Sequence, residues 1–177
     1  MLMSLNKEVQ LDDVIEILRE KIDGGGTVTF TPKGTSMLPM LRDGKDVVVL
    51  KKPDGRLHLF DVPLYRRDNG KYVLHRVIDF LNDGSYVMCG DNQFSLEKGI
   101  RDDQIIAVMT AFYRKGKAYT PRTFRYRLYV NFWYYTRPFR RAYSGSKRRI
   151  FKLFGITPKP KEERKRKKKK KEDDIYD

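Results

Sequence analysis

The stretch that decides the fold is Tyr65-Arg66-Arg67-Asp68-Asn69-Gly70-Lys71-Tyr72-Val73-Leu74-His75-Arg76-Val77-Ile78-Asp79-Phe80-Leu81-Asn82-Asp83-Gly84. Asn69-Gly70 accepts the positive φ values of a tight hairpin turn, and Asn82-Asp83-Gly84 repeats the device. Between the two turns, residues 71–80 are rich in Tyr, Val, Leu, Ile and Phe and read as one strand tied to a neighbour on each side. Working outward, similar runs recur at 27–31, 46–51, 60–66, 85–89 and 104–113, separated by Gly, Asp, Asn or Pro. Short strands at this spacing predict a mainly β fold, an antiparallel sheet closed or rolled on itself.

Ahead of the strands, Leu11, Val14, Ile15, Leu18 and Ile22 recur at spacings of three and four, predicting an amphipathic helix over 8–23 that Gly24-Gly25-Gly26 stops. One helix can cover one side of a sheet. It is too little for a helix-turn-helix reader of DNA.

Charge divides the chain. Up to Phe112 there are 15 Lys and Arg against 17 Asp and Glu, whereas from Tyr113 onward there are 23 against 6. The last third should therefore seek a polyanion, and the first two thirds need not. The organisation expected is a helix and Gly linker over 1–26, a β domain over 27–113, a basic aromatic helical extension over 114–157 and a Lys-rich tail over 158–177. Cys89 is the only cysteine, so no intramolecular disulfide forms and a bridge-stapled secreted scaffold is excluded. No run approaches the roughly 18 consecutive apolar residues of a membrane-spanning helix, and residues 6–23 are too acidic for a signal peptide. These features point to the cytoplasm.

Three stretches carry candidate chemistry. In Gly34-Thr35-Ser36-Met37-Leu38-Pro39-Met40-Leu41, a serine is held between a flexible glycine and a proline, just past the strand at 27–31. Ser36 is either the cap of one helical turn or a fixed nucleophile. His75 falls in the middle of the central strand, on the same face as Val73 and Val77 by parity. A buried imidazole there needs a partner, and is either structural or a base. In Cys89-Gly90-Asp91-Asn92-Gln93-Phe94-Ser95-Leu96-Glu97, Asp91 and Asn92 could bond their own turn or supply a carboxylate that orients the imidazole. His58, the other histidine, has no such neighbours and reads as a surface or hairpin residue.

Taken together, Gly34-Thr35-Ser36-Met37-Leu38-Pro39, Phe60-Asp61-Val62, His75-Arg76-Val77 and Gly90-Asp91-Asn92 resemble, in order and rough spacing, the boxes of the type I signal peptidases and LexA-like self-cleaving peptidases. The resemblance covers residues 27–112. It implies a rolled pseudo-barrel sheet and a serine endopeptidase needing no metal or cofactor, with Ser36 as nucleophile and its backbone N–H as an oxyanion donor. His75 takes the base position, as in the branch of the family with a His-Arg-Val/Ile box in place of lysine. Asp91 matches the third box, and Glu97 is its rival as the acid that orients the base. Two departures matter: Phe60 stands where the family has glycine, and Gly34 stands where many members place a hydroxyl residue of the oxyanion hole. Against the enzyme stands a catalytically weak or inactive binding module that keeps the fold and acts through its basic extension.

That extension has its own pattern. Phe124, Leu128, Phe132 and Tyr135, with Tyr129 and Trp133, recur at helical spacing among Arg122, Arg125, Arg127, Arg137, Arg140 and Arg141. A second basic aromatic segment follows at 147–154, and residues 164–171 are all basic, a composition that predicts disorder. Residues 120–171 fit an anionic membrane surface, which would make the protein peripheral to the membrane. Nucleic acid is the rival partner, and a solvated tail behind a helix packed on the domain is the third reading.

Overall fold

The computed structural model describes residues 18–143. The first half of the expected N-terminal helix, the segment at 147–154 and the Lys-rich tail lie outside the described residues. Within them the fold is mainly β.

A helix, α1, occupies residues 18–23 and ends in the glycine run, with Leu18 and Ile22 buried as the apolar spacing requires. Then follow β1 (Val28–Phe30), β2 (Val47–Lys51), β3 (Pro63–Arg66), β4 (Tyr72–Leu74), β5 (Arg76–Phe80), β6 (Tyr86–Cys89), β7 (Glu97–Ile100), β8 (Ile105–Arg114) and β9 (Lys117–Tyr119), and a second helix, α2 (Phe124–Tyr135). One antiparallel sheet has the order β1-β2-β8-β3-β4, with β9 also on β8, and a second has the order β5-β6-β7. The ten residues of β8 let it pair with β2 and β3, and register shifts at Val49/Leu50 and Leu64/Tyr65 bend the sheet around it.

Both hairpins form where Asn and Gly place them. The Gly70 and Gly84 amides close turns on Arg67 and Leu81, and both glycines have the positive φ that the turns require. The expected single strand over 71–80, however, is two strands in two sheets. β4 pairs with β3, while β5 pairs with β6 and exchanges hydrogen bonds with the Phe60–Asp61 segment through Val77. The residue between them is His75. A strand with a hairpin at each end can keep both neighbours in one sheet; here the chain changes partner at His75, β4 holding β3 and β5 holding β6.

The main core joins Leu18 and Ile22 of α1 to Val48, Leu50, Leu64, Met109 and Phe112 of the first sheet and to Tyr126 and Val130 of α2. Met37, Met40 and Leu41 are buried in the same core, so each anchors the Ser36 turn with roughly 1.5–3 kcal/mol of burial. A second cluster, Leu57, Tyr65, Val77, Tyr86, Met88 and Ile100, fills the space over β5–β7.

The compact unit runs through Tyr135, past the expected limit at 113, because β9 extends the first sheet and α2 buries Tyr126 and Val130 in the core. A second unit begins at Thr136; of it, residues 136–143 are described, helical from 137. Among the described residues no helix is long and apolar enough to cross a membrane.

Candidate functional site

The Ser36 turn is fixed from two sides. Downstream, one helical turn closes with the Leu41 amide on the Met37 carbonyl (2.9 Å), beside a cis Leu38–Pro39 bond. Upstream, the Gly34 amide donates to Asp43 Oδ1 (2.7 Å). Across from it lies the Gly90-Asp91-Asn92 loop. The Asn92 amide donates to the Ser36 carbonyl (2.7 Å), and Asn92 Nδ2 donates to the Thr35 carbonyl (3.1 Å). Gly90 is required by close approach, since a Cβ there would lie 2.7 Å from the Ser36 carbonyl oxygen and 3.1 Å from Ser36 Cβ. Ser36 remains half-buried, and among the described residues its amide and hydroxyl make no hydrogen bond to protein.

His75 sits at the junction of the two sheets with only 2% of its surface exposed. Its Nδ1 lies 3.2 Å from Glu97 Oε1 and 3.3 Å from the Tyr65 hydroxyl. Glu97 is itself held from other directions: Tyr65 Oη donates to Oε2 (2.8 Å), Arg67 Nε donates to Oε2 (2.7 Å), and an Arg67 terminal nitrogen donates to Oε1. Burial works against charge on Glu97, but the Arg67 and Tyr65 hydrogen bonds outweigh it, and the carboxyl is held below its usual range. An ionised Glu97 only accepts, so the proton on His75 belongs on Nδ1 and Nε2 is left as an acceptor. Burial pushes the His75 pKa below its ordinary value, Glu97 opposes this in part, and Arg67 reinforces it. The imidazole is therefore neutral at pH 7, the form a general base needs.

Asp91 is engaged elsewhere. Arg76 grips its two oxygens at 2.8 Å each, and Tyr129 Oη donates to Oδ2 (3.0 Å). Arg76 also donates to the Phe60 carbonyl (3.0 Å) and to Tyr126 Oη (2.9 Å), while the Trp133 indole donates to the Asp91 carbonyl (2.6 Å). Of the two carboxylates weighed from sequence, Glu97 lies on the His75 ring, and Asp91 braces the loop that holds Ser36. The reason is register. Glu97 opens β7 opposite Met88 of β6, whereas Asp91 lies two residues past the end of β6, where Arg76 pairs with it.

Ser36 and His75 line one cavity of about 260 Å³, with Pro32, Lys33 and Gly34 from the end of β1 and Tyr72, Val73 and Leu74 of β4. Arg67 and Gln93 complete its polar wall. Among the described residues no hydrogen bond joins Ser36 to His75, and the two share the cavity wall. Phe60, where the resemblance has glycine, is held at φ 76, a conformation that favours glycine. His58 is exposed, as its surroundings in sequence suggested.

Sequence reasoning missed Tyr65 and Arg67. The signal was available: the turn at Asn69-Gly70 sets Tyr65 opposite Val73, so by parity Tyr65 and Arg67 share a face with Val73 and His75. Arg76 was read only as part of a motif, and its link to Tyr126, 50 residues away, has no local signature. Comparison with protein-family models, with curated proteins and with solved structures finds no match to this chain.

Proposed function

We propose that the chain is a serine endopeptidase of the signal-peptidase and LexA-like kind, with Ser36 as nucleophile, His75 as base and Glu97 as the residue that orients the base. One observation carries the reading: a buried, neutral imidazole has its Nδ1 3.2 Å from a fixed carboxylate and shares a cavity wall with a serine on a rigid turn. In the proposed reaction His75 Nε2 takes the Ser36 hydroxyl proton as Oγ attacks the scissile carbonyl carbon. The Ser36 amide meets the oxyanion, and His75 then returns the proton to the leaving amine. Water, activated by the same imidazole, hydrolyses the acyl-enzyme. No metal or cofactor has a part in these steps.

The substrate is an extended peptide or protein segment. Among the described residues of the first sheet β4 pairs only with β3, and it contributes Tyr72, Val73 and Leu74 to the cavity, so its other edge can take a peptide as an added strand. A cavity of this size favours small side chains next to the cut, as the resemblance also implies. Cys89, the only cysteine, is buried and has no cysteine in the chain to pair with, which suits a reducing compartment such as the cytoplasm. The rival is a binding module that keeps the cavity without the chemistry, favoured by the absence of a Ser36–His75 hydrogen bond among the described residues. Cleavage of unstructured protein substrates by the full chain separates the two. Loss of cleavage in both Ser36→Ala and His75→Ala supports the peptidase, and normal turnover by Ser36→Ala overturns it.

A further inference from the structure

α2 carries apolar side chains on two opposite faces, one of them set in the domain and the other largely exposed. Tyr126 and Val130 are buried in the core, and Tyr129 and Trp133 reach the Asp91 loop. On the other side Phe124, Leu128, Phe132 and Tyr135 are 59–77% exposed. At about 100° per residue these four fall within roughly 80° of arc, a continuous stripe along the helix. Exposed Arg125 and Arg127 border it on its two sides.

The charge in the sequence flanking this helix is of one sign. Between Asp103 and Glu162 the sequence has 15 Lys and Arg and no Asp or Glu. A narrow apolar stripe bordered by arginines, on a helix whose opposite face is tied to a rigid domain, has the form of a helix lying in the plane of a membrane interface. The aromatic and leucine groups enter the acyl boundary, while the arginines remain at the level of anionic headgroups. Nucleic acid also attracts arginine. It needs rings presented singly to bases and gives no reason for Leu128 in line with them.

We infer that the outer face of α2 is a docking surface for an anionic lipid bilayer, with Phe124, Leu128, Phe132 and Tyr135 inserting and Arg125 and Arg127 contacting lipid phosphates. This surface does not depend on the catalytic reading, because its residues lie outside the Ser36 cavity.

The test is co-sedimentation of the full chain with vesicles of phosphatidylcholine alone and of phosphatidylcholine mixed with phosphatidylserine, under reducing conditions. Binding is expected only to the mixed vesicles. Phe124→Glu/Leu128→Glu should lower the partition coefficient by roughly a hundredfold, and Arg125→Gln/Arg127→Gln by roughly tenfold or more. Both pairs are exposed, so unchanged unfolding curves are expected and confirm that the loss is one of binding. If the stripe variants bind like the parent chain, the basic tail alone accounts for binding and the inference fails. It also fails if the parent ignores anionic vesicles, or if these variants weaken a salt-dependent DNA shift instead.

Discussion

Two carboxylates, Asp91 buried and Glu97 half-buried, each lie beside an arginine and a tyrosine at the β4–β5 junction. Arg76 and Asp91 are closed off, with side-chain exposures of 4% and 3%, and they hold each other, the Phe60 carbonyl and the hydroxyls of Tyr126 and Tyr129. His75 and Glu97 differ: the imidazole is 2% exposed, but Glu97 and Arg67 are 23% and 32% exposed, and His75 and Arg67 border the cavity. An arginine cannot give up its proton near neutrality, whereas a histidine can. The first cluster can only hold shape. The second can hold shape and also exchange a proton.

The largest break in this contrast comes from His75→Ala, which should reduce Ser36 reactivity by about 10³-fold or more while the chain stays folded. Arg76→Ala should do the reverse. It leaves a buried Asp91 charge uncompensated, and denaturant unfolding should report a loss of about 3–5 kcal/mol. Glu97→Gln keeps the shape but removes the charge that fixes the tautomer, with an expected fall of about 10²–10⁴-fold in reactivity. Gly90→Ala drives a methyl into the Ser36 carbonyl, and should cost about 1–3 kcal/mol of stability and displace Ser36.

The smallest effect is in the pH profile. Because the His75 pKa lies below its ordinary 6.5, mainly through burial, reactivity should persist through pH 6.5 and fall only at lower pH. Glu97 raises the His75 pKa, so Glu97→Gln should move that acid limb further down, and Asp91→Asn should move it less. Stability follows the same sign. The unfolded chain binds a proton at His75 before the folded one does, so stability is full above about pH 6.5 and declines as pH falls through and below it. Glu97, also held below its usual value, adds a further loss at lower pH, beneath the ordinary glutamate range.

How much of this was legible in the sequence follows from how local each signal is. The Asn-Gly turns and β-branched runs marked most strands because alternation and turn chemistry are properties of neighbouring residues. β7, Glu-Lys-Gly-Ile, has no alternation to detect, and it forms because β6 offers an open edge. That missed strand delivers Glu97 to His75, which is why two carboxylates stayed open from sequence alone. The split at His75 was hidden for a related reason: one apolar run serves two sheets, and nothing in its composition marks where it changes partner. The aromatic spacing of α2 was visible, but its division into a face on the Asp91 loop and an exposed face depends on a core assembled from distant residues.

The most direct measurement is labelling of the full chain with a serine-reactive fluorophosphonate, followed by mapping of the modified residue. The account predicts adduct formation on Ser36, lost in Ser36→Ala, strongly slowed in His75→Ala and in Glu97→Gln, and retained in Asp91→Asn to the extent that this variant folds. Absence of labelling in the folded parent chain, or labelling that survives in Ser36→Ala, would contradict it.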